Sequence, residues 1–240
     1  MIKIGLLGYG GRMGQVIAGE IAASTTATLV AGVVRSVKSE YKKTEGLLIT
    51  TKADEAIAMS DVIIDFTLAN ATVANIQLAV THKKPFVCGT TGLSAETTDA
   101  LKKAAKTIPV LYASNTSLSL AVMKRATKLA AKLLAGFDYD VAILDEHHNM
   151  KKDAPSGTAK TLGEAVTEAN GGKKQPTYAS IRAGHIIGNH EVIFAGNGET
   201  IRLQHSVSDR RIFARGAVQA ALWLYNKPAG FYGMDDVLGM

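Results

Sequence analysis

Short apolar runs alternate with amphipathic stretches through the first half of the chain. Residues 2–7 are compact and apolar, as a buried strand requires, and residues 15–23 repeat their apolar positions at helical spacing. The alternation continues with strands expected over 28–34, 61–66, 85–88 and 110–113, and helices over 69–80 and 93–106. Such a pattern predicts a doubly wound parallel sheet with right-handed crossovers. After Ser117 the pattern changes. A long amphipathic helix over 118–135 and a strand over 139–145 precede a helix over 159–169, which Gly171-Gly172 breaks. Strand-like segments follow at 179–182, 188–196, 199–206 and 211–214, then a helix at 217–225 and an apolar tail at 234–238. Clustered strands predict a mixed or antiparallel sheet, hence a second α+β domain after an α/β one.

Composition narrows the class. The chain has 240 residues, 47% hydrophobic and 20% charged, ordinary globular values for one large or two smaller domains. Basic residues exceed acidic ones, 27 to 21, but they are scattered and aromatics are only 6%, so no nucleic-acid platform is expected. The modest positive balance suits phosphate and carboxylate ligands. Cys88 is the single cysteine, which rules out an internal disulfide and points to a reducing cytoplasm. The N-terminal apolar run is too short for a signal-peptide core, and no run reaches membrane-spanning length.

The loop Gly8-Tyr9-Gly10-Gly11-Arg12-Met13-Gly14 joins the first strand to the first helix. Gly8 permits a tight turn, and Gly10 lets backbone approach a pyrophosphate at a helix N-terminus. Met13 stands at the third glycine of the usual fingerprint, between Gly11 and Gly14. Strand–loop–helix context makes this a dinucleotide site. The second strand ends in Val34-Arg35-Ser36, with Lys38 nearby, where a carboxylate would bind the ribose hydroxyls of NAD. An arginine and a hydroxyl there suit a 2′-phosphate, so NADPH is favoured over NADH. The polar strand ends at Asp65-Phe66-Thr67, Gly89-Thr90-Thr91-Gly92 and Ser114-Asn115-Thr116 are either ligand loops or ordinary turns.

The richest segment is Glu146-His147-His148-Asn149-Met150-Lys151-Lys152-Asp153-Ala154-Pro155-Ser156-Gly157-Thr158. Imidazoles move protons near neutral pH. The Ser156, Gly157 and Thr158 amides at a helix start form a cradle for an anion such as a carboxylate. A histidine pair is also a common polar corner, and Pro-Ser-Gly-Thr a common helix start, but their combination indicates a site for a small acidic substrate. Adjacent histidines on a strand point to opposite faces, and no carboxylate or cysteine stands at a ligand-like spacing, so no metal is expected.

These segments, with Arg182-Ala183-Gly184 and the run from His205 through Arg210 to Phe213-Ala214-Arg215-Gly216-Ala217, resemble the dihydrodipicolinate reductases of lysine and diaminopimelate biosynthesis. The resemblance spans almost the whole chain. It implies a Rossmann-type domain over 1–117, completed by 216–240, and a substrate-binding domain over 118–215 whose sheets form the core of a homotetramer. It also implies NADPH- or NADH-dependent reduction of a cyclic, conjugated imine dicarboxylate. By position, it assigns His147 as acid/base and Lys151 as proton donor. His148, Ser156, Gly157 and Thr158 hold substrate carboxylates. Gly8, Tyr9, Gly10, Gly11, Arg12, Met13, Arg35, Gly89, Thr90, Thr91, Ala113, Ser114, Asn115 and Thr116 bind cofactor. The chain departs from the family at Val34, where an acidic residue is common, at Thr116 for Phe, at Leu68 for Arg, and at Asn189 for Glu. Arg182, His190, His205 and Arg210 are expected to be structural.

Overall fold

The apolar start of the chain forms β1 (Ile2–Leu7), in which Ile4, Leu6 and Leu7 are fully buried. The computed structural model describes residues 1–37 and 46–239. Lys38, expected beside the cofactor phosphate, lies outside the described residues. From β1 the chain alternates: α1 (Arg12–Ala22), β2 (Ala27–Val33), β3 (Leu48–Thr50), α2 (Ala53–Ala58), β4 (Val62–Asp65), α3 (Ala69–Thr81), β5 (Phe86–Cys88), α4 (Ala95–Ala104) and β6 (Pro109–Tyr112). The second half contains α5 (Leu118–Leu134), β7 (Asp140–His147), α6 (Gly157–Ala169), β8 (Thr177–Arg182), β9 (Asn189–Gly196) and β10 (Glu199–Ser206). It ends in α7 (Arg211–Leu224), β11 (Gly230–Tyr232) and α8 (Met234–Val237).

Two units result. The first, Met1–Ser117 with Arg211–Met240, carries a seven-stranded sheet in the order β11-β6-β5-β4-β1-β2-β3. Every pairing in it is parallel. Strand order reverses at β1, so the C-terminal ends of β1, β4, β5 and β6 share the rim where such sheets take ligands. The C-terminal segment belongs to this unit: α7 packs on α1, and β11 adds a strand beside β6. The expected strand at 211–214 is instead the first turn of α7. Ala214, Ala217, Val218, Ala221 and Leu224 recur at helical spacing and are all buried, so the 3.6-residue period overrides the local β-propensity of Ile212-Phe213. Strands β3 and β11 and helix α2 had no counterpart in the sequence reading.

The second unit, Leu118–Arg210, has the strand order β10-β9-β7-β8, antiparallel except for the β7–β8 pair. Strict alternation along β7 buries Val141, Ile143 and Asp145 on one face. Val192 and Phe194 of β9 continue that face, and Leu162 and Val166 of α6 with Met123 of α5 cover it. The buried row of β7 therefore runs from aliphatic residues straight into a carboxylate and then His147. That switch places the chemistry.

Candidate active site

Register brings the polar end of the second unit together. Asp145 is opposite Ser180 on β8 and His190 on β9, and His147 is opposite Arg182. Because paired residues share a face, these five side chains form one cluster at the end of the hydrophobic row. Asp145 has no exposed surface. Its Oδ2 accepts hydrogen bonds from Arg182 Nη2 at 2.8 Å, the Ser156 amide at 2.9 Å and Ser180 Oγ at 3.1 Å. Its Oδ1 lies 2.8 Å from His147 Nδ1 and 3.6 Å from His190 Nε2. His190 Nε2 pairs with Ser156 Oγ at 3.2 Å, and the two imidazole rings meet edge to face, 5.2 Å apart.

Charge follows from these contacts. Burial acts to raise the Asp145 carboxyl, but the Arg182 guanidinium, the Ser156 groups and His147 outweigh it and hold it down at about 2. Burial lowers His147; Asp145 opposes the shift, while Lys151 and Arg182 reinforce it. Burial and the neighbouring His147 push His190 down to about 4. Near neutral pH the cluster therefore holds a carboxylate, a guanidinium and two neutral rings. Lys151 Nζ is 2.8 Å from Asp153 Oδ1, an ion pair that keeps the ammonium on the turn after His148.

The helix start differs from the expected three-amide cradle. Ser156 caps α6 by accepting from the Ala159 amide at 3.1 Å, while its own amide is bound to Asp145. An incoming anion therefore does not find that amide vacant. Gly157 and Thr158 form the first turn that follows. His148 lies just past the end of β7 and is half-buried. His205 on β10 stands opposite His190, adds to the lowering of that ring, and pairs with Ser119 Oγ at 3.0 Å.

Asp145 is the residue that sequence reasoning missed. It stands two positions before His147, which on a strand means the same face, so the signal was present. A carboxylate therefore does stand at a ligand-like spacing, contrary to expectation: Asp145, His147 and His190 place ligand atoms within 4.8 Å of one another. Arg182 nonetheless favours hydrogen bonding over coordination. Its guanidinium already balances the carboxylate, and a divalent ion would add like charge beside it.

The loops expected to bind nucleotide lie in the first unit. Gly8 adopts φ +88°, and its amide and that of Tyr9 donate to Val33 O at 3.1 and 3.0 Å. A Cβ on Gly14 would lie 2.1 Å from Gly8 O, so Gly14 supplies the close helix–loop approach that Met13 does not. Gly11 is the N-cap of α1, and Gly10, Gly11 and Arg12 are exposed before and at its positive end. Tyr9 is buried with its ring against Gly32, and its carbonyl accepts from Gln15 Nε2 at 2.7 Å, so it shapes the loop. Arg35 is exposed just beyond β2.

At the other strand ends, buried Asp65 accepts from the amide and hydroxyl of Thr67 at 2.9 and 2.6 Å. The Phe66 ring packs so closely on Gly89 that a Cβ there would lie 2.2 Å away. Thr90 is buried and Thr91 exposed. Thr116 donates to Phe213 O at 2.6 Å, and Asn115 Oδ1 accepts from the Ser117 amide at 2.9 Å. Ala113 is buried and Ser114 exposed. Thr116 thus anchors its loop to the C-terminal segment rather than presenting its hydroxyl.

Comparison with known proteins supplies independent findings. Family models described as the N-terminus and C-terminus of dihydrodipicolinate reductase match residues 2–116 and 119–238. A 4-hydroxy-tetrahydrodipicolinate reductase of Zymomonas mobilis subsp. mobilis is 42% identical over 259 residues, covering 100% of this chain and 98% of the relative. One from Pseudoalteromonas atlantica is 39% identical over 267 residues, covering 100% of each. The fold matches a dipicolinate-bound dihydrodipicolinate reductase from Paenisporosarcina sp. TG-14 with a TM-score of 0.84 at 22% identity, covering 98% of this chain and 99% of that one.

Proposed function

The chain belongs to the dihydrodipicolinate reductase family, and from that premise we propose that it reduces 4-hydroxy-tetrahydrodipicolinate to tetrahydrodipicolinate with NADPH or NADH. The balance is substrate, NAD(P)H and a proton in; product, NAD(P)⁺ and water out. One observation carries the reading. A neutral imidazole, an ammonium and a helix start that suits carboxylates occupy one continuous segment of the second unit, and the first unit carries a glycine loop at a parallel-sheet rim.

The nicotinamide, when bound, supplies the hydride. The chain's own residues bind and protonate. On this reading the Gly157 and Thr158 backbone and His148 hold the substrate carboxylates at the positive end of α6. Loss of the 4-hydroxyl as water leaves a conjugated imine, and hydride addition builds electron density toward its nitrogen, which nearby cations stabilise. Lys151 is the proton donor and His147 the acid/base group beside it. On the cofactor side, Gly8, Gly10, Gly11, Arg12 and Met13 surround the pyrophosphate, Arg35 meets a 2′-phosphate, and residues Gly89 to Thr91 and Ala113 to Thr116 flank the nicotinamide. Tyr9 supports that loop from beneath.

We assign NADPH as the preferred cofactor because Val34-Arg35-Ser36 offers a cation and a hydroxyl but no carboxylate. The assembly is read as a homotetramer, as the family resemblance implies, and the face of the second sheet away from α5 and α6 offers it a contact surface. None of the described helices is long and apolar enough to cross a membrane. With the single buried thiol Cys88, we place the enzyme in the cytoplasm. Generating the substrate enzymatically and following cofactor absorbance tests the whole reading. Oxidation of both cofactors, with higher kcat/KM for NADPH, is expected. No oxidation of either rejects the reductase assignment, and a clear NADH preference rejects the role of Arg35.

A further inference from the structure

We propose that Asp145 is a positioning residue that joins the two halves of the substrate site, one oxygen orienting the His147 ring through Nδ1 and the other holding the first turn of α6. The catalytic consequence rests on the reductase reading above; the effect on the ring does not. Asp145 is fully buried, and a buried carboxylate must be matched by donors. Its Oδ2 is saturated by Arg182, Ser180 and the Ser156 amide. Only Oδ1 faces the imidazoles, with His147 Nδ1 at 2.8 Å. The contact is close but off the angle of a formed hydrogen bond, and neither atom has another hydrogen-bond partner among the described residues. An ionised carboxylate can only accept, and a bare Nδ1 lone pair this close to it would be repelled, so the neutral ring is favoured with its proton on Nδ1. Nε2 is left as the basic atom. A ring free to choose would divide itself between two tautomers and two orientations.

The same carboxylate holds the Ser156 amide, and Ser156 Oγ both caps α6 and pairs with His190. Arg182 extends the tie by donating to Asp153 O at 2.6 Å, while Asp153 holds the Lys151 ammonium. Proton donor, imidazole and helix start therefore share one buried anchor. A shift of the anchor moves all of them together, whereas separate supports would let each drift.

The amide replacement Asp145→Asn separates charge from shape. Three donors converge on the Oδ2 position, so the Asn carbonyl oxygen is drawn there and its NH2 turns toward His147. Nδ1 must then accept, and the ring proton moves to Nε2. Nitrogen NMR of the imidazoles near neutral pH reads this directly, with the His147 signal identified from His147→Gln. Wild type is expected to show Nδ1–H and Asp145→Asn to show Nε2–H. The variant's kcat should fall about a hundred- to ten-thousand-fold, the range of a mispositioned acid/base group. Its affinity for NADPH, bound by the other unit, should be unchanged. Asp145→Glu, which keeps the carboxylate, should restore Nδ1–H and most of kcat.

An unchanged tautomer and near-normal kcat in Asp145→Asn overturn the proposal. If that variant does not fold, the wild-type spectrum decides, because Nε2–H on wild-type His147 is equally fatal. Wild-type protein that shows Nδ1–H but never oxidises cofactor leaves Asp145 in its place and rejects the reductase reading alone.

Discussion

At the scale of single residues, the proposed site sets one ring, kept neutral by burial, beside the Lys151 side chain. His147 loses the competition between burial, which lowers it, and Asp145, which raises it. Its neutral form therefore persists to lower pH than for a free imidazole with a value of 6.5. As pH falls through that lowered value the ring takes a proton beside Lys151 and Arg182, and the rate should drop. The kcat/KM profile is thus expected to have an acid limb below pH 6.5, and His147→Gln should erase it. An acid limb that survives the substitution removes His147 from the proton chemistry. Lys151 has a different signature. Truncation to alanine should lower kcat by about a hundredfold or more while leaving NADPH affinity intact, since the proposed role of the ammonium is in the reaction and it sits in the second unit, not in the glycine loop's unit. Near-normal turnover in Lys151→Ala, measured under saturating cofactor, would mean that another group delivers the proton.

Elements show why much of this was readable in the sequence and where reading stopped. Strands β1, β4, β5 and β6 are short apolar runs with polar ends, and the same runs that specify burial also mark the ligand rim. The α6 start was legible because Ser156 is a standard cap. What was not legible is pairing: nothing local says that Ser180 and His190 flank Asp145, because register is set by strands far apart in sequence. Misreading 211–214 has a similar origin, since a β-favouring dipeptide was weighed without the helical period beyond it. The glycine loop gives the converse lesson. Its spacing departs from the usual fingerprint, yet Gly14 reaches Gly8 O more closely than any side chain could. A methyl there must push α1 off the loop, so Gly14→Ala should weaken NADPH binding at least tenfold and destabilise the unit by about 1–3 kcal/mol. Gly19→Ala, on the same helix with nothing within 4 Å of its Cβ position, should instead stabilise by about 0.5–1 kcal/mol. Fluorescence titration and thermal melts distinguish the two; equal NADPH affinity in both variants would show that the close approach is not what shapes the phosphate loop.

For the whole molecule, the decisive feature is a sheet with one face covered by its own unit. Helices α5 and α6 pack on the row containing Val141, Ile143, Val192 and Phe194. Alternation sends Ala142, Leu144, Ala179, Ile181 and Ile193 to the opposite face, where Ile181 is 42% exposed. Thr177, Glu146, Glu191 and Arg202 share that face and rim the aliphatic patch, and an exposed apolar patch with a polar rim marks an interaction surface. A second copy of the chain fits best, because an identical sheet presents the same aliphatic rows and the same strand twist, so the contact can be self-complementary. Copies meeting on that face would also bear on the proposed site. Glu146, on the outer face, accepts from Asn189 Nδ2 at 2.9 Å and is the neighbour of both Asp145 and His147 on β7. Ordering that face stiffens the strand whose inner face orients the imidazole. Light scattering should therefore report a dimer or larger for wild type, with a melting temperature that rises with protein concentration. Ile193→Lys should lower the mass, abolish that concentration dependence and reduce kcat, while NADPH affinity persists. A wild-type monomer, or a lysine variant of unchanged mass, would show that this face is not the interface.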